Sequence, residues 1–166
     1  YTVYTAANDS RFEQLSLFLD YFESSNPNQC LKVILFDQNS KQVSKLCKQK
    51  KIPTIKPSPI IDFCAKSIFR NGEYRPGVKS WKYMRKLNCF LDASTFFIFL
   101  DLNCIPTAKL DPLVETYINL KKDILFTSHS HAKRTIRVDT KQFLNLIDPT
   151  IGEGYNCSII ASRNNV

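Results

Sequence analysis

The stretch that decides the fold is residues 96–103, which reads Phe-Phe-Ile-Phe-Leu-Asp-Leu-Asn. Its first five residues are all apolar, and four of them are β-branched or aromatic, which is typical of a strand buried on both faces. A carboxylate is not expected inside such a strand, so we predict that Asp101 lies just past its carboxyl end. Ligands bind at this end of the strands in open α/β sheets. We therefore expect this strand to carry Asp101 to a ligand.

The rest of the chain predicts alternating strands and helices. Strands are predicted at residues 1–7, 31–36, 52–55, 96–100, 123–128, 135–138 and 155–162. Helices are predicted at residues 10–24, 41–50, 79–90, 111–122 and 140–147, with a helical turn or two at 60–69. The first elements follow a β-α-β-α-β order with short connections, which indicates a parallel sheet with right-handed crossovers. The predicted fold class is α/β, a single domain with a mostly parallel central sheet flanked by helices on both faces.

Four helix starts carry capping signals, one of them Ser80 at the start of the helix at residues 79–90. Ser10-x-x-Glu13 has the pattern of a capping box, and Ser40 stands where it can cap the helix at residues 41–50. Asp111 followed by proline predicts an N-cap with proline at the first helical position. In the helix at residues 79–90, one stripe of residues is predicted to face the core. It consists of Trp81, Met84, Leu87, Asn88 and, just past the helix, Leu91.

The composition excludes several classes of protein. With only 4 Gly, the chain has neither a dinucleotide-binding glycine loop nor a phosphate-binding loop ending in Gly-Lys. No stretch of this sequence resembles a signal peptide, and no apolar run is long enough to span a membrane. The 6 Cys include no C-x-x-C pair and no nearby His, which argues against a zinc site. Several of them lie in apolar segments, as buried free thiols do, and this favours a reducing compartment.

The formal net charge of +8 favours anionic partners. Much of the excess lies at residues 41–56 and 79–86, where the alternative is a solvated basic face. A nucleic-acid binder is a further alternative, but no known DNA or RNA recognition motif is present, so we predict no nucleic acid as a partner.

Polar residues follow three of the predicted strands. They are Thr5–Asn8 after the first strand, Asp37 after the second, and Asp101 with Asn103 after the strand at residues 96–100. Because parallel strands bring their carboxyl ends to one rim, these residues are predicted to line one nucleotide-binding cleft.

Asp101 and Asn103 together could hold a metal ion. In extended chain, residues two apart project to the same side, so their oxygens could share one Mn²⁺ or Mg²⁺ together with phosphate oxygens. Such a metal neutralises a diphosphate leaving group. The alternative is that Asp101 caps the following loop and Asn103 makes a turn.

A basic helix precedes this strand. Lys79, Lys82 and Arg85 are three residues apart, so they share roughly one side of a helix that could overhang the same rim. We expect them to contact the phosphates of a nucleotide. The alternative is a solvated face that covers the sheet.

In order and spacing, the chain resembles the nucleotide-sugar-binding half of glycosyltransferases with the A-type fold, and most closely the glycogenin and lipopolysaccharide-galactosyltransferase group. The resemblance rests on the first strand with Asn8-Asp9, the strand ending at Asp37, the helix at residues 79–90, the stretch 96–103, Leu110-Asp-Pro-Leu-Val-Glu115 and Gly154-Tyr-Asn-Cys-Ser-Ile-Ile-Ala-Ser. It covers essentially the whole chain.

The resemblance implies a donor site for a nucleoside diphosphate sugar, with a uridine nucleotide as the first choice, and transfer to the hydroxyl of an unknown acceptor. Base and ribose would meet Thr5, Ala6 and Asn8. Lys79 or Lys82 would lie near the base or the phosphates. Asp101 and Asn103 would hold Mn²⁺ or Mg²⁺, and Asn156 would face the sugar. The chain is expected to stop before the acceptor-binding part of such an enzyme.

A second interpretation comes from the same residues. Asn103 is neutral where the family usually has a second carboxylate, so the domain could instead be a non-catalytic binding module on the same scaffold.

Overall fold

The computed structural model describes residues 1–69, 80–92, 96–120, 124–128 and 155–163. The strands are β1 (Thr2–Ala7), β2 (Cys30–Leu35), β3 (Thr54–Ile55), β4 (Phe96–Leu100), β5 (Ile124–Ser128) and β6 (Tyr155–Arg163). The helices are α1 (Phe12–Ser25), α2 (Lys41–Gln49), α3 (Pro59–Phe69), α4 (Asn88–Asp92) and α5 (Asp111–Leu120). Short 3₁₀ helices lie at Asp9–Arg11 and Ser80–Leu87. The strand predicted at residues 135–138 and the helix predicted at 140–147 lie outside the described residues.

The strands of the described residues form one sheet in the order β3-β2-β1-β4-β6-β5. β1 pairs in parallel with β2 and with β4, and β2 pairs in parallel with β3. β6 runs antiparallel to both β4 and β5. This confirms the predicted α/β fold with a mostly parallel sheet. Because Leu100 pairs with Ile159, the first residues of β6 lie at the same edge of the sheet as the carboxyl end of β4.

Helices cover both faces of the sheet, as predicted. On one face, Leu15 and Phe18 of α1, Val43 of α2 and Tyr117 of α5 are fully buried in one core cluster with Ile98 of β4. On the other face, the core contains Tyr4, Ile34, Cys89, Phe97 and Phe99. Neighbouring residues of β4 therefore enter opposite cores, which confirms that this strand is buried on both faces.

Two thiols belong to these cores rather than to a reactive site. Burial raises the pKa of Cys47 to about 11 and that of Cys89 to about 12. Both thiols are therefore protonated at neutral pH and act as small apolar side chains.

The predicted capping box at Ser10 is wrong. Ser10 lies inside the 3₁₀ helix Asp9–Arg11, and its hydroxyl donates to Asn8 Oδ1 at 2.7 Å. The residue that precedes α1 is Arg11, whose side chain makes no capping hydrogen bond. The 3₁₀ helix separates Ser10 from the start of α1, and its first residue, Asp9, is engaged at the start of α2.

Asp9, not Ser40, caps α2. Its two carboxylate oxygens accept the backbone N–H groups of Lys41 and Val43 at 3.0 and 3.1 Å. Ser40 occupies the predicted N-cap position, but its hydroxyl donates to the carbonyl of Asp37 at 2.8 Å. A carboxylate at a helix N-terminus satisfies free N–H groups and also interacts favourably with the helix dipole. Asp9 therefore fixes α2 against the turn that follows β1.

Asp111 is also not the N-cap that was predicted. The helical hydrogen bonds of α5 begin at the carbonyl of Leu110, so Asp111 is the first residue of the helix. Its carboxylate accepts hydrogen bonds from the hydroxyl of Tyr1 and the amide of Gln29. The buried side chain of Asn26 accepts the N–H of Leu110 at 2.8 Å and thereby holds the loop before α5 against the end of α1.

The segment predicted as a helix at residues 79–90 is divided into the 3₁₀ helix Ser80–Leu87 and the short α4. A 3₁₀ helix has three residues per turn, so a stripe spaced for an α-helix does not stay on one face. Leu91, predicted to be inward, is 61% exposed. Asn88 is buried, where it accepts the N–H of Ser58 and donates to the carbonyl of Arg85. α3 is also longer than the one or two turns predicted for it.

We predict that Thr5→Val stabilises the protein by about 1 kcal/mol, because a buried hydroxyl without a hydrogen bond carries its full desolvation cost. Thr5 is fully buried, and its Oγ1 has no hydrogen-bond partner within the described part of the chain. Urea unfolding measures the effect. Thr5→Ala is the matched control and should be less stable than Thr5→Val, since it also loses a packed methyl group. A Thr5→Val variant less stable than wild type would contradict the prediction.

We predict that Asp9→Ala lowers the free energy of unfolding by about 1–2 kcal/mol, because two N–H groups of α2 lose their acceptor. Thermal unfolding followed by circular dichroism measures the change. The control is Asp20→Ala, which removes an exposed carboxylate paired with Lys50 and should cost about 0.5 kcal/mol. Equal losses in the two variants would refute the capping role of Asp9.

Candidate functional site

A cavity of about 340 Å³ lies where β1, β2 and β4 end. We call it the edge cavity. It is lined by Ala6, Ala7, Asn8, Ser10, Arg11, Gln14, Phe36, Lys86, Phe99, Asp101, Leu102 and Asn103. The carboxyl ends of these three parallel strands thus meet at one place, as their order in the sheet requires. Four residues predicted for the site lie here, namely Ala6, Asn8, Asp101 and Asn103.

Asn8 links the edge cavity to a neighbouring one. Its side-chain amide donates to Asp37 Oδ2 at 3.0 Å, while its Oδ1 accepts the hydroxyl of Ser10. Asp37 does not line the edge cavity but a second cavity of about 570 Å³ beside α2, which we call the α2 cavity. Asn8 and Asp37 were predicted to line one cleft. They are in direct contact, but they line different cavities.

Asp101 and Asn103 share the edge cavity for a reason different from the predicted one. The N–H of Cys104 donates to the carbonyl of Asp101 at 2.8 Å, so the chain turns here and is not extended. Leu102 between them is buried in the core, and Asn103 is exposed. The turn, anchored by Leu102, presents both side chains to the cavity. Burial, with the charge of Asp101 adding to it, raises the pKa of the Cys104 thiol beside this turn.

Two cations line the edge cavity, although neither was predicted as a site residue. Arg11 donates to Gln14 Oε1 at 2.9 Å, and both side chains line the cavity. The ammonium of Lys86 lies 3.9 Å from Asp101 Oδ2. The basic run at residues 79–86 includes Lys86. Helical spacing, however, placed Lys79, Lys82 and Arg85 on the side predicted to face the rim, so Lys86 was not chosen. No sequence pattern pointed to Arg11, which lies in a segment expected only to start a helix.

Arg85 is engaged in an ion pair beside the α2 cavity, and its contact with a phosphate stays a prediction. Its guanidinium binds both carboxylate oxygens of Asp62 on α3, and a third N–H donates to the carbonyl of Phe36 at the end of β2. The side chains of Arg85 and Asp62 are 11% and 19% exposed, so this ion pair is largely buried. It ties the 3₁₀ helix Ser80–Leu87 to α3 and to the edge of the sheet.

Of the remaining predicted residues, the structure describes the side chain of Thr5 alone. Thr5 is fully buried within the sheet, two residues before the end of β1, and does not line the edge cavity. Lys79 and the side chains of Lys82 and Asn156 lie outside what the structure describes. The backbone of Asn156 belongs to β6, whose first residues lie at the edge of the sheet that carries Asp101.

The donor groups of the edge cavity fit a metal ion only if a ligand brings further oxygens. Asp101 is the only carboxylate among the described residues that line it, and these described parts of the chain hold no cluster of three or more His, Cys, Asp or Glu that could bind a metal. Mg²⁺ is commonly held by one or two carboxylates together with substrate phosphates. Asp101 with the amide oxygen of Asn103 is therefore compatible with Mn²⁺ or Mg²⁺ that arrives with a diphosphate.

Two solved structures of the protein LgtC share this architecture. An active-site mutant of LgtC matches with a TM-score of 0.61 and 15% sequence identity, over 99% of this chain and 57% of that chain. The galactosyltransferase LgtC in complex with donor and acceptor sugar analogues matches with a TM-score of 0.62 and 13% identity, over 99% and 58% of the two chains. The chain has the A-type glycosyltransferase fold. At this identity the likeness shows the fold alone, so the predicted glycogenin-like subgroup stays a prediction.

This chain thus spans 57% and 58% of the length of the two LgtC chains. No family model matches the sequence. No curated protein matches it either. Among the described residues, no helix is both long and apolar enough to cross a membrane.

We predict that Arg85→Met lowers the free energy of unfolding by about 3 kcal/mol, because it leaves the carboxylate of Asp62 largely buried without its guanidinium. Chemical unfolding measures the loss. Lys50→Met is the control, because it removes a cation from more exposed pairs with Asp20 and Glu23 and should cost less than about 1 kcal/mol. If Arg85→Met lowers the free energy of unfolding no more than Lys50→Met does, Arg85 does not hold the 3₁₀ helix Ser80–Leu87 in place.

Proposed function

We propose that this chain is the donor-binding part of a glycosyltransferase that uses a nucleoside diphosphate sugar. The observation that carries the proposal is the edge cavity, where one carboxylate, three side-chain amides and two cations of the described residues meet at the carboxyl ends of β1, β2 and β4. In sheets of this kind, nucleotides bind at that edge. The fold shared with LgtC supports the same interpretation.

The base and ribose are assigned to the side of the cavity formed by β1. Ala6 leaves space beside the strand end, and Asn8 is held in one orientation by Asp37 and Ser10. A polar group fixed by two partners pays little ordering entropy when a ligand binds. We no longer assign Thr5 to the base and ribose, because its side chain is fully buried. Asn156 keeps its assignment to the donor sugar, which the backbone position of β6 supports.

The diphosphate is assigned to the side of the cavity formed by Asp101 and Arg11. Arg11 offers a planar guanidinium, which suits phosphate oxygens. Asp101, with Asn103, would hold Mn²⁺ or Mg²⁺. When bound, such a metal neutralises the charge that develops on the leaving diphosphate. The sugar would then pass to an acceptor hydroxyl, with a uridine diphosphate sugar as the first donor to test.

A second candidate function is a non-catalytic module that binds the nucleotide without transferring the sugar. The observation in its favour is that Asp101 is the sole carboxylate among the described residues of the edge cavity. Release of free sugar from a panel of nucleotide sugars separates the two. Slow hydrolysis favours the enzyme, whereas binding without any hydrolysis favours the module.

We predict that UDP binds in the presence of Mn²⁺ and that Asp101→Asn weakens this binding about tenfold or more, equivalent to about 1.4 kcal/mol. The reason is that the substitution removes the charged ligand of the metal while keeping the shape of the side chain. Isothermal titration calorimetry with and without EDTA measures both effects.

The matched control is Asp20→Asn, which removes an exposed carboxylate of α1 outside the edge cavity and should leave UDP binding unchanged. Undiminished binding of UDP and Mn²⁺ to Asp101→Asn would remove Asp101 from the metal site. Failure of the wild-type chain to bind any nucleotide sugar would overturn the proposed function.

A further inference from the structure

Lys86 stands between the carboxylate of the edge cavity and an aromatic ring. Its ammonium lies 3.9 Å from Asp101 Oδ2 and 5.7 Å from the centroid of the Phe99 ring. The side chain of Lys86 is 18% exposed, and that of Asp101 is 36% exposed. The ammonium is therefore held at the wall of the cavity, and the side chain of Lys86 does not extend into solvent.

The backbone around Lys86 is anchored on both sides. Arg85 is fixed by its ion pair with Asp62, and its carbonyl accepts the side-chain amide of Asn88 at 2.5 Å. The carbonyl of Lys86 itself accepts the thiol of Cys89, a buried core residue, at 2.9 Å. These contacts anchor the main chain, so a change of partner within the cavity needs only a rotation of the Lys86 side chain.

The contact between Lys86 and Asp101 is weak for an ion pair. A separation of 3.9 Å is longer than a charge-assisted hydrogen bond of about 2.7–2.9 Å, and the partly exposed carboxylate is screened by water. Exchanging this partner for a phosphate therefore costs little. The cavity also carries two cations against one carboxylate among its described lining residues, a balance suited to a ligand with more than one negative charge.

We propose that Lys86 exchanges partners when the donor binds. Without nucleotide, its ammonium pairs with Asp101. When the nucleoside diphosphate enters with a divalent cation, the cation takes the carboxylate of Asp101 and Lys86 turns to the diphosphate oxygens. This rests on the proposed function, since it assigns both partners of Lys86 within the same donor site.

The exchange has a thermodynamic consequence. In the empty cavity, Lys86 and a divalent cation compete for one carboxylate, so the metal alone binds weakly. Once a diphosphate is present, Lys86 has a better partner and the competition ends. Metal and nucleotide therefore bind with positive coupling, and each raises the affinity for the other by the same factor.

The test is a set of three titrations on the chain and its Lys86→Met variant, namely Mn²⁺ alone, UDP alone in EDTA, and UDP with saturating Mn²⁺. Electron paramagnetic resonance of free Mn²⁺ and calorimetry give the affinities. We expect Lys86→Met to bind Mn²⁺ alone about fivefold more tightly, because a charge that competes for Asp101 is gone. It should bind UDP in EDTA about fivefold more weakly, because a phosphate partner is lost.

The matched control is Lys45→Met, which removes one positive charge from the exposed face of α2, away from both cavities. It should leave all three affinities unchanged. Lys86→Arg keeps the charge and should retain both the weak Mn²⁺ binding and the UDP affinity of the wild type. Circular dichroism confirms folding, and Lys86→Gln replaces the methionine variant if that variant does not fold.

Lys86→Met with unchanged or weaker binding of Mn²⁺ alone would overturn the competition between Lys86 and the metal. Unchanged UDP affinity in EDTA would overturn the phosphate contact. If the wild-type chain binds no UDP under any condition, the proposed function fails. The titration with Mn²⁺ alone still decides whether Lys86 opposes metal binding at Asp101.

Discussion

The parallel pairing of β1 with both β2 and β4 is the constraint on which the rest of the structure depends. It makes three strands end at one edge, and it leaves each strand buried between two layers of helices. A chain arranged in this way must leave the sheet through loops at that edge, where polar side chains can meet. The edge cavity lies where these loops meet.

Polar side chains then fix the loops at both edges of the sheet, because the sheet alone does not determine where a loop goes. Asp9 joins the end of β1 to the start of α2, and Asn26 holds the loop before α5. The ion pair of Arg85 with Asp62 attaches the 3₁₀ helix Ser80–Leu87 to α3. Each contact joins residues more than 20 positions apart and satisfies groups that burial would otherwise leave without partners.

The charge balance of the edge cavity shapes the chemistry proposed for it. A site with two carboxylates could bind a divalent cation on its own, whereas one carboxylate beside an ammonium favours a cation that arrives with phosphate. Asn103 in place of a second acid therefore need not abolish a metal site. In the proposed site, Asn103 would make the binding of metal and of nucleotide depend on each other, and Lys86 would have a role that a more acidic cavity would not require.

The sequence by itself determined the α/β fold, the buried strand at Phe96–Leu100 and the position of Asp101 at its end. These follow from apolar periodicity, which is a local property of the chain. Tertiary structure decided what depends on distant residues, including the capping of α2 by Asp9 and the structural use of Arg85. It also brought Arg11 and Lys86 to the edge cavity. Capping and charge signals show which groups need partners, but only packing decides which partner comes within reach.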